Sequence, residues 1–358
     1  MPDRRFRDLF RPILHVARTA MGTQAIAARL TSIENKLGQH AASTPAQAPA
    51  PVDFNMLLHR SRGALLRTMP PGANRLLSAG CSGGWYFDWM EQCYGRVPEH
   101  IGIEYYSLRP ASLPDNVTWI ANTASDMSDV ASHGIDLLFS GQNIEHLWPE
   151  EVAGFLVEAA RVVRQGGHLV VDSPNRDITA RYKWSHPEHT IELTVAEMSE
   201  LLTLAGFEVT RSAGIWLCRD PRTGRLLPLD ANTPDDWSTT ERLVAGYALP
   251  EHSFIWWLEA RRTTQEPRRE ELERRLQALF ATAWPERLQR LNVPAGHSPE
   301  FREGVEWIRC APGNEGAVLV GPGTPLRAGR YRCTFHFDPD PGAGAPYAVC
   351  TVVGGAEA

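Results

Sequence analysis

The stretch Arg75-Leu76-Leu77-Ser78-Ala79-Gly80-Cys81-Ser82-Gly83-Gly84 decides how the rest of the chain is read. An apolar run of strand length, 75–79, leads straight into a glycine-rich turn, and 85–94 behind it has the pattern of a helix. Without Cβ atoms such a turn lets backbone N–H groups come close to a ligand. In open α/β sheets, ligands bind beyond the carboxyl ends of the strands, where the strand order reverses.

Working outward, strand and helix patterns alternate. Upstream, 54–69 reads as a helix. Downstream, 100–104 and 117–120 read as the second and third strands, and 135–140, apolar on both faces, as the fourth. A helix is expected over 149–163, broken by Gly166-Gly167 before a fifth strand at 168–172. A helix over 195–205 ends at Gly206, and two last strands fall at 207–216 and 253–261. This alternation predicts an α/β fold: a Rossmann-like, mostly parallel seven-stranded sheet covered by helices on both faces. Residues 263–292 are charged and helical, with Leu272, Leu276, Leu279 and Phe280 on one face.

The flanks differ. Within 1–39, Phe6, Phe10, Ile13, Leu14, Ala17 and Met21 make one apolar stripe among arginines, and Leu30, Ile33 and Leu37 extend it. Two readings are open: a helix packing on its own domain or in a homo-oligomer, or a basic amphipathic helix whose residues 4–21 rest on an anionic membrane surface. Residues 40–53, mostly Ala, Pro, Gln and Ser, read as a linker. The expected divisions are 54–262 for the main domain, 263–297 for a helical connector and 298–358 for a small β-sandwich-like module, too short to be complete by itself.

Composition narrows the class. The 358 residues carry a net charge of -6, which argues against a general nucleic-acid binder. Cys81, Cys93, Cys218, Cys310, Cys333 and Cys350 are scattered without C-x-x-C spacing, as expected of reduced thiols in a cytoplasmic protein. No apolar run reaches the roughly 18 residues needed to cross a bilayer, and the arginine-rich start lacks the apolar core of a secretory signal.

Three families use a glycine turn in this position. A nicotinamide-binding fold wants G-x-G-x-x-G, which 80–84 matches poorly. A serine hydrolase wants G-x-S-x-G, which Gly80-Cys81-Ser82-Gly83-Gly84 satisfies, with Ser82 as nucleophile. Its elbow normally follows several earlier strands, whereas only a helix and a linker precede Arg75. The third reading rests on several segments in order. Ile101-Gly102-Ile103-Glu104 ends in an acid, Ile135 to Ser140 is followed by Ile144-Glu145-His146-Leu147, Phe155 to Val171 contains Glu158, Arg161 and Gly166-Gly167, and Leu204-Ala205-Gly206-Phe207-Glu208-Val209 leads into the sixth strand. With these segments the chain resembles class I S-adenosylmethionine-dependent methyltransferases, particularly the type-11-like group, over about 54–262. The resemblance implies S-adenosyl-L-methionine as cofactor. It places Ser78, Ala79, Gly80, Cys81, Ser82, Gly84, Ser140 and Gln142 around it, Glu104 on the ribose hydroxyls, and Asn122 and Thr123 near adenine. The family usually carries an acid where Ser78 stands and often a glycine where Ser82 stands. The missing acid removes one contact to the methionine part, and a non-catalytic cofactor-binding module stays among the readings.

Methyl transfer needs nucleophile, methyl carbon and sulfur in line, and an alcohol nucleophile must also lose its proton. His146, just past the fourth strand, is the first candidate base. His186 and His189, in the segment 184–190 beyond the fifth strand, are its rivals, with Tyr182 and Trp184 as sugar-stacking surfaces. Glu145 with His146 is similar to the metal-binding ubiquinone-biosynthesis O-methyltransferases, but those carry a further acid where Gln142 stands here, so no metal is assigned. The segments 173–190 and 321–331 are similar to bacterial surface-polysaccharide methyltransferases and glycan-binding sandwiches. That resemblance implies O-methylation of a sugar in a lipopolysaccharide, O-antigen or capsule, at the cytoplasmic side of the inner membrane. A small-molecule or quinone acceptor is the alternative.

Overall fold

A computed structural model describes residues 51–288, apart from Ser185 and Pro187, and two short strands at 298–302 and 305–309. By internal contacts the chain divides into units Met1–Thr324 and Pro325–Ala358. The N-terminal helix, nearly all of the linker and most of the C-terminal β module lie outside the described residues. The strands Ser298–Arg302 (β8) and Val305–Arg309 (β9) pair antiparallel with each other.

One seven-stranded sheet organises the described chain. Its strands are β1 (Arg75–Ala79), β2 (Glu99–Ile103), β3 (Val117–Ile120), β4 (Ile135–Gly141), β5 (Val163–Pro174), β6 (Phe207–Leu217) and β7 (Ser253–Arg262), in the order β3-β2-β1-β4-β5-β7-β6. Only β7 runs antiparallel to its neighbours, β5 and β6. The order reverses between β1 and β4, so the glycine turn leaves the sheet at the switch point. The Rossmann-like expectation is borne out.

Alternation along the strands builds a core on each face. Leu77, Ala79, Leu138, Leu169 and Val171 enter one core; Leu76, Leu137, Phe139 and Val170 enter the other. The first is covered by α3 (Pro149–Val162), α5 (Val195–Leu204) and α7 (Arg269–Leu288). In α3, Val152, Phe155, Leu156, Ala159 and Val162 repeat at three- and four-residue spacing and are buried. Leu272, Leu276 and Leu279 of α7 are buried in the same core, as their spacing predicts. The second core lies under α1 (Phe54–Leu66) and α2 (Gly84–Cys93).

Two sequence expectations are corrected. Gly166-Gly167 does not end the helix: α3 stops at Val162 and β5 begins at Val163. Ile135 of β4 pairs with Val163 but Leu137 pairs with His168, so 164–167 loop out of the ladder within the strand. The helix α6 (Thr239–Ala248) was missed, although its capping box is legible. The Glu241 carboxylate accepts from the Ser238 amide at 2.8 Å, and the Ser238 hydroxyl from the Glu241 amide at 3.3 Å. A short helix, α4 (Arg176–Thr179), follows β5. Among the described residues no helix is long and apolar enough to cross a membrane.

Candidate active site

The turn after β1 has the strain expected of a ligand-binding loop. Gly80 has φ +78°, and a Cβ built there would meet Asn143 Oδ1 at 2.7 Å, so glycine is required by both backbone and neighbour. Ser82 also has positive φ, at +39°. Its amide donates to Glu104 Oε2 at 2.9 Å, while Glu104 Oε1 accepts from the amides of Tyr106 and Ser107, each at 2.9 Å. Glu104 thus ties the end of β2 to the turn. Two carboxylate oxygens offer about four lone pairs, so three amides leave capacity for a ribose hydroxyl.

Ala79 and Cys81 are fully buried, and burial pushes the Cys81 thiol up to about 12, leaving it protonated and inert. Only their backbone is available to a ligand. Gly84 opens α2. Ser78 lies inside β1, between Gly102 and Phe139 in register, with its hydroxyl 2.9 Å from His100 Nε2. Where the resembling family carries an acid, this chain has a buried Ser–His contact. Asn122 accepts from the Thr123 amide at 2.8 Å, and Thr123 Oγ1 accepts from the Ser125 amide at 3.0 Å, so both side chains shape the local turn after β3.

Beyond β4 the chain turns sharply. Ser140 accepts from Asn143 Nδ2 at 3.1 Å. Gln142, with φ +54°, donates its side-chain amide to Asp172 Oδ1 at 2.7 Å. Asp172 Oδ2 accepts from Arg62 Nε at 3.0 Å. A Cβ on Gly141 would lie 2.1 Å from Arg62 Nη2, so this crossing also needs glycine. The buried Arg62–Asp172–Gln142 chain joins α1, β5 and the loop after β4. Sequence reasoning missed Arg62 and Asp172; only an aspartate inside an apolar strand hinted at them.

The rival histidines form one cluster. The 3-10 turn Ile144–His146 follows β4, and the Glu145 carbonyl accepts from the amides of Thr190 at 2.6 Å and Ile191 at 3.3 Å. That pairing sets the His189 ring 4.8 Å from His146 and 4.6 Å from His186, between centroids. His146 Nδ1 lies 3.2 Å from the Glu188 carbonyl, and His189 Nδ1 lies 3.0 Å from Glu192 Oε1. Facing acceptors, both Nδ1 atoms carry the proton in the neutral ring and leave the lone pair on Nε2. Burial and the neighbouring His189 hold His146 down at about 4, so it is neutral near pH 7. Glu145 is fully buried and its two carboxyl oxygens make no well-formed hydrogen bond among the described residues, with the Ser173 hydroxyl and its own amide the polar groups near it. Burial, with Asp172 nearby, pushes it up to about 8. Donor atoms of Glu145, His146 and His189 all lie within 4.8 Å of one another, a grouping of metal-ligating residue types where the sequence reading assigned no metal.

Trp184 stacks edge-on against Phe254, 5.2 Å between centroids, and flanks His189 at 5.7 Å. The Tyr182 hydroxyl points to the backbone carbonyls of Cys218, at 2.9 Å, and Leu227. It therefore braces the loop after β6.

Residues 77–171 match a family model described as a methyltransferase domain. The chain is 34% identical over 170 residues to a probable S-adenosylmethionine-dependent methyltransferase of Mycolicibacterium smegmatis, covering 46% of this chain and 60% of that protein. It is 32% identical over 149 residues to one of Mycobacterium tuberculosis, covering 40% and 52%. The chain therefore spans between half and three-fifths of the curated relatives it matches. A solved SAM-dependent methyltransferase of Archaeoglobus fulgidus is similar at a TM-score of 0.40 and 18% identity, covering 59% of this chain and 95% of that one. Residues 77–171, set in a sheet of this order, are thus similar to the methyltransferase domain of S-adenosylmethionine-dependent enzymes. That similarity makes S-adenosyl-L-methionine the expected cofactor, and the glycine turn with the Glu104 carboxylate at its rim has groups that could hold it.

Proposed function

We propose that this protein transfers the methyl group of S-adenosylmethionine to a hydroxyl oxygen of a sugar in a bacterial surface polysaccharide. The amides of 80–84 would cradle the cofactor and Glu104 would take its ribose. Bound there, the cofactor supplies an electrophilic sulfonium methyl. The chain's own task is to align the acceptor oxygen and remove its proton.

The observation that supports an oxygen acceptor is the convergence of His146, His186 and His189 beside the segment leaving β4. His146, neutral and with its Nδ1 engaged by Glu188, presents Nε2 to take the proton. Trp184 offers the adjoining surface on which a sugar ring would stack. The sugar class rests on the resemblance of 173–190, and residues 4–21 are proposed to hold the enzyme at the inner membrane.

The test combines calorimetry with S-adenosylmethionine and S-adenosylhomocysteine, transfer of labelled methyl to sugar and quinone acceptors, and mass spectrometry of the host's surface glycan with and without the gene. Binding of neither ligand at millimolar concentration defeats the methyltransferase reading. Label appearing only in a quinone or small molecule defeats the polysaccharide reading alone.

A further inference from the structure

We infer that Glu145, His146 and His189 form a site for a divalent cation of the zinc class. The inference rests on reading this cluster as the place where the acceptor loses its proton, and it changes what carries the resulting charge.

The Glu145 carboxylate is poorly paired. Glu145 is fully buried, and neither carboxyl oxygen makes a well-formed hydrogen bond among the described residues, although the Ser173 hydroxyl and its own amide are near enough to act on it. Burying a polar group without full pairing is costly, so a group held this way fits a place where something binds it. What stands beside it is two imidazoles, with all three donor atoms within 4.8 Å of one another.

Both imidazole rings are held from behind. Histidines that ligate metals generally donate their other N–H to a carbonyl or carboxylate, which fixes the tautomer and aims the lone pair. Both rings have such a partner: the Glu188 carbonyl at 3.2 Å for His146, and Glu192 Oε1 at 3.0 Å for His189. Glu192 is buried and is itself held by the Thr179 hydroxyl. The ligands come from segments 43 residues apart, fastened by the amides of Thr190 and Ile191 on the Glu145 carbonyl.

The donor set selects the ion. Two imidazole nitrogens and one carboxylate suit zinc and its first-row neighbours, whereas magnesium and calcium prefer oxygen. Three protein ligands would leave a fourth tetrahedral position for a substrate oxygen, and His146 is the least buried of the three. A sugar hydroxyl binding there would become more acidic and release its proton to water, so that the ion takes the charge otherwise assigned to His146.

The test uses the full chain stripped with a chelator and titrated with Co²⁺ and Zn²⁺, followed by calorimetry and visible absorption. One Co²⁺ per chain is expected, with the absorption of a tetrahedral site, displaced by Zn²⁺ and unaffected by excess Mg²⁺. His189→Ala, Glu145→Gln and the more exposed His146→Ala should each lose the visible signal, and Glu192→Gln should weaken binding by about 10- to 100-fold. Wild-type protein that binds neither ion, or binding that survives in His146→Ala with unchanged affinity and spectrum, overturns the site without requiring any variant to be especially stable. Wild type that binds no ion yet loses turnover in His146→Ala overturns the ion while leaving the methyl-transfer reading intact. Ion binding by a protein with no affinity for S-adenosylmethionine supports the site while removing that reading.

Discussion

Glu104 accepts the backbone amide of Ser82 at 2.9 Å, and together with the Gly80 amide on the Ile103 carbonyl, also 2.9 Å, this bond couples the end of β2 to the glycine turn after β1. Oε1 holds two more amides, so the carboxylate shapes the loop, and its remaining lone pair is what the proposed ribose contact would use. Glu104→Ala should weaken S-adenosylmethionine binding by about 1–3 kcal/mol, the scale of hydrogen bonds to a charged group. Calorimetry at fixed pH measures this. Unchanged affinity would remove Glu104 from the cofactor site.

Gly80→Ala should lower stability by about 1–3 kcal/mol, because alanine must adopt φ +78° and also press on Asn143. Adding Asn143→Ala removes the steric neighbour but not the backbone strain. The double variant should recover only part of the loss in urea unfolding. Complete recovery would assign the whole cost to the contact.

His146→Ala should lower turnover by roughly 100- to 10,000-fold, the range for positioned proton transfer, with cofactor affinity unchanged. Steady-state kinetics beside calorimetry separate the two effects. A fully active variant would move the chemistry to His186 or His189.

Arg62→Met should cost about 3–5 kcal/mol, since it strands Asp172, whose side chain is 0% exposed, without its cation. Asp172 would retain only the Gln142 amide. Thermal unfolding gives the answer, and a variant as stable as wild type would mean that the Gln142 amide alone suffices to hold Asp172.

His100 should make the fold sensitive to acid. Burial lowers it from 6.5 to about 4, so between these values the unfolded chain binds a proton that the native chain refuses. Its contribution is therefore complete above pH 6.5, declines as pH falls, and levels off below about 4, a loss on the order of 3 kcal/mol. His100→Gln should flatten that part of the stability profile in urea unfolding from pH 7 to 4.5. An unaltered slope would mean that other buried histidines set it.

Much of the sheet was legible in the sequence. β1 and β3 fall where the apolar runs place them, and most other strands differ by one residue at an end, because a parallel strand buried on both faces writes a continuous apolar signal. The long β5 is the exception: its looped-out residues 164–167 carry polar and glycine letters that read as a helix stop. The histidines were legible as residues but not as a group. His146 and the 186–189 segment were weighed as rivals, since nothing in spacing shows that Thr190 fastens one loop to the other. Arg62 and Asp172 were invisible for the same reason: an ion pair across 110 residues leaves no local period.

The sequence alone determined the class of fold and the place of the glycine turn, because hydrophobic periodicity and the need for positive φ act within a few residues. Only the tertiary structure decided what the glycine turn works with. It set Asn143 against Gly80, stapled Ser82 to Glu104, gave Ser78 a histidine where the resembling family has an acid, and gathered Glu145, His146 and His189 around one point. These are contacts between distant segments, fixed by strand order and by hydrogen bonds that the burial of polar groups makes obligatory.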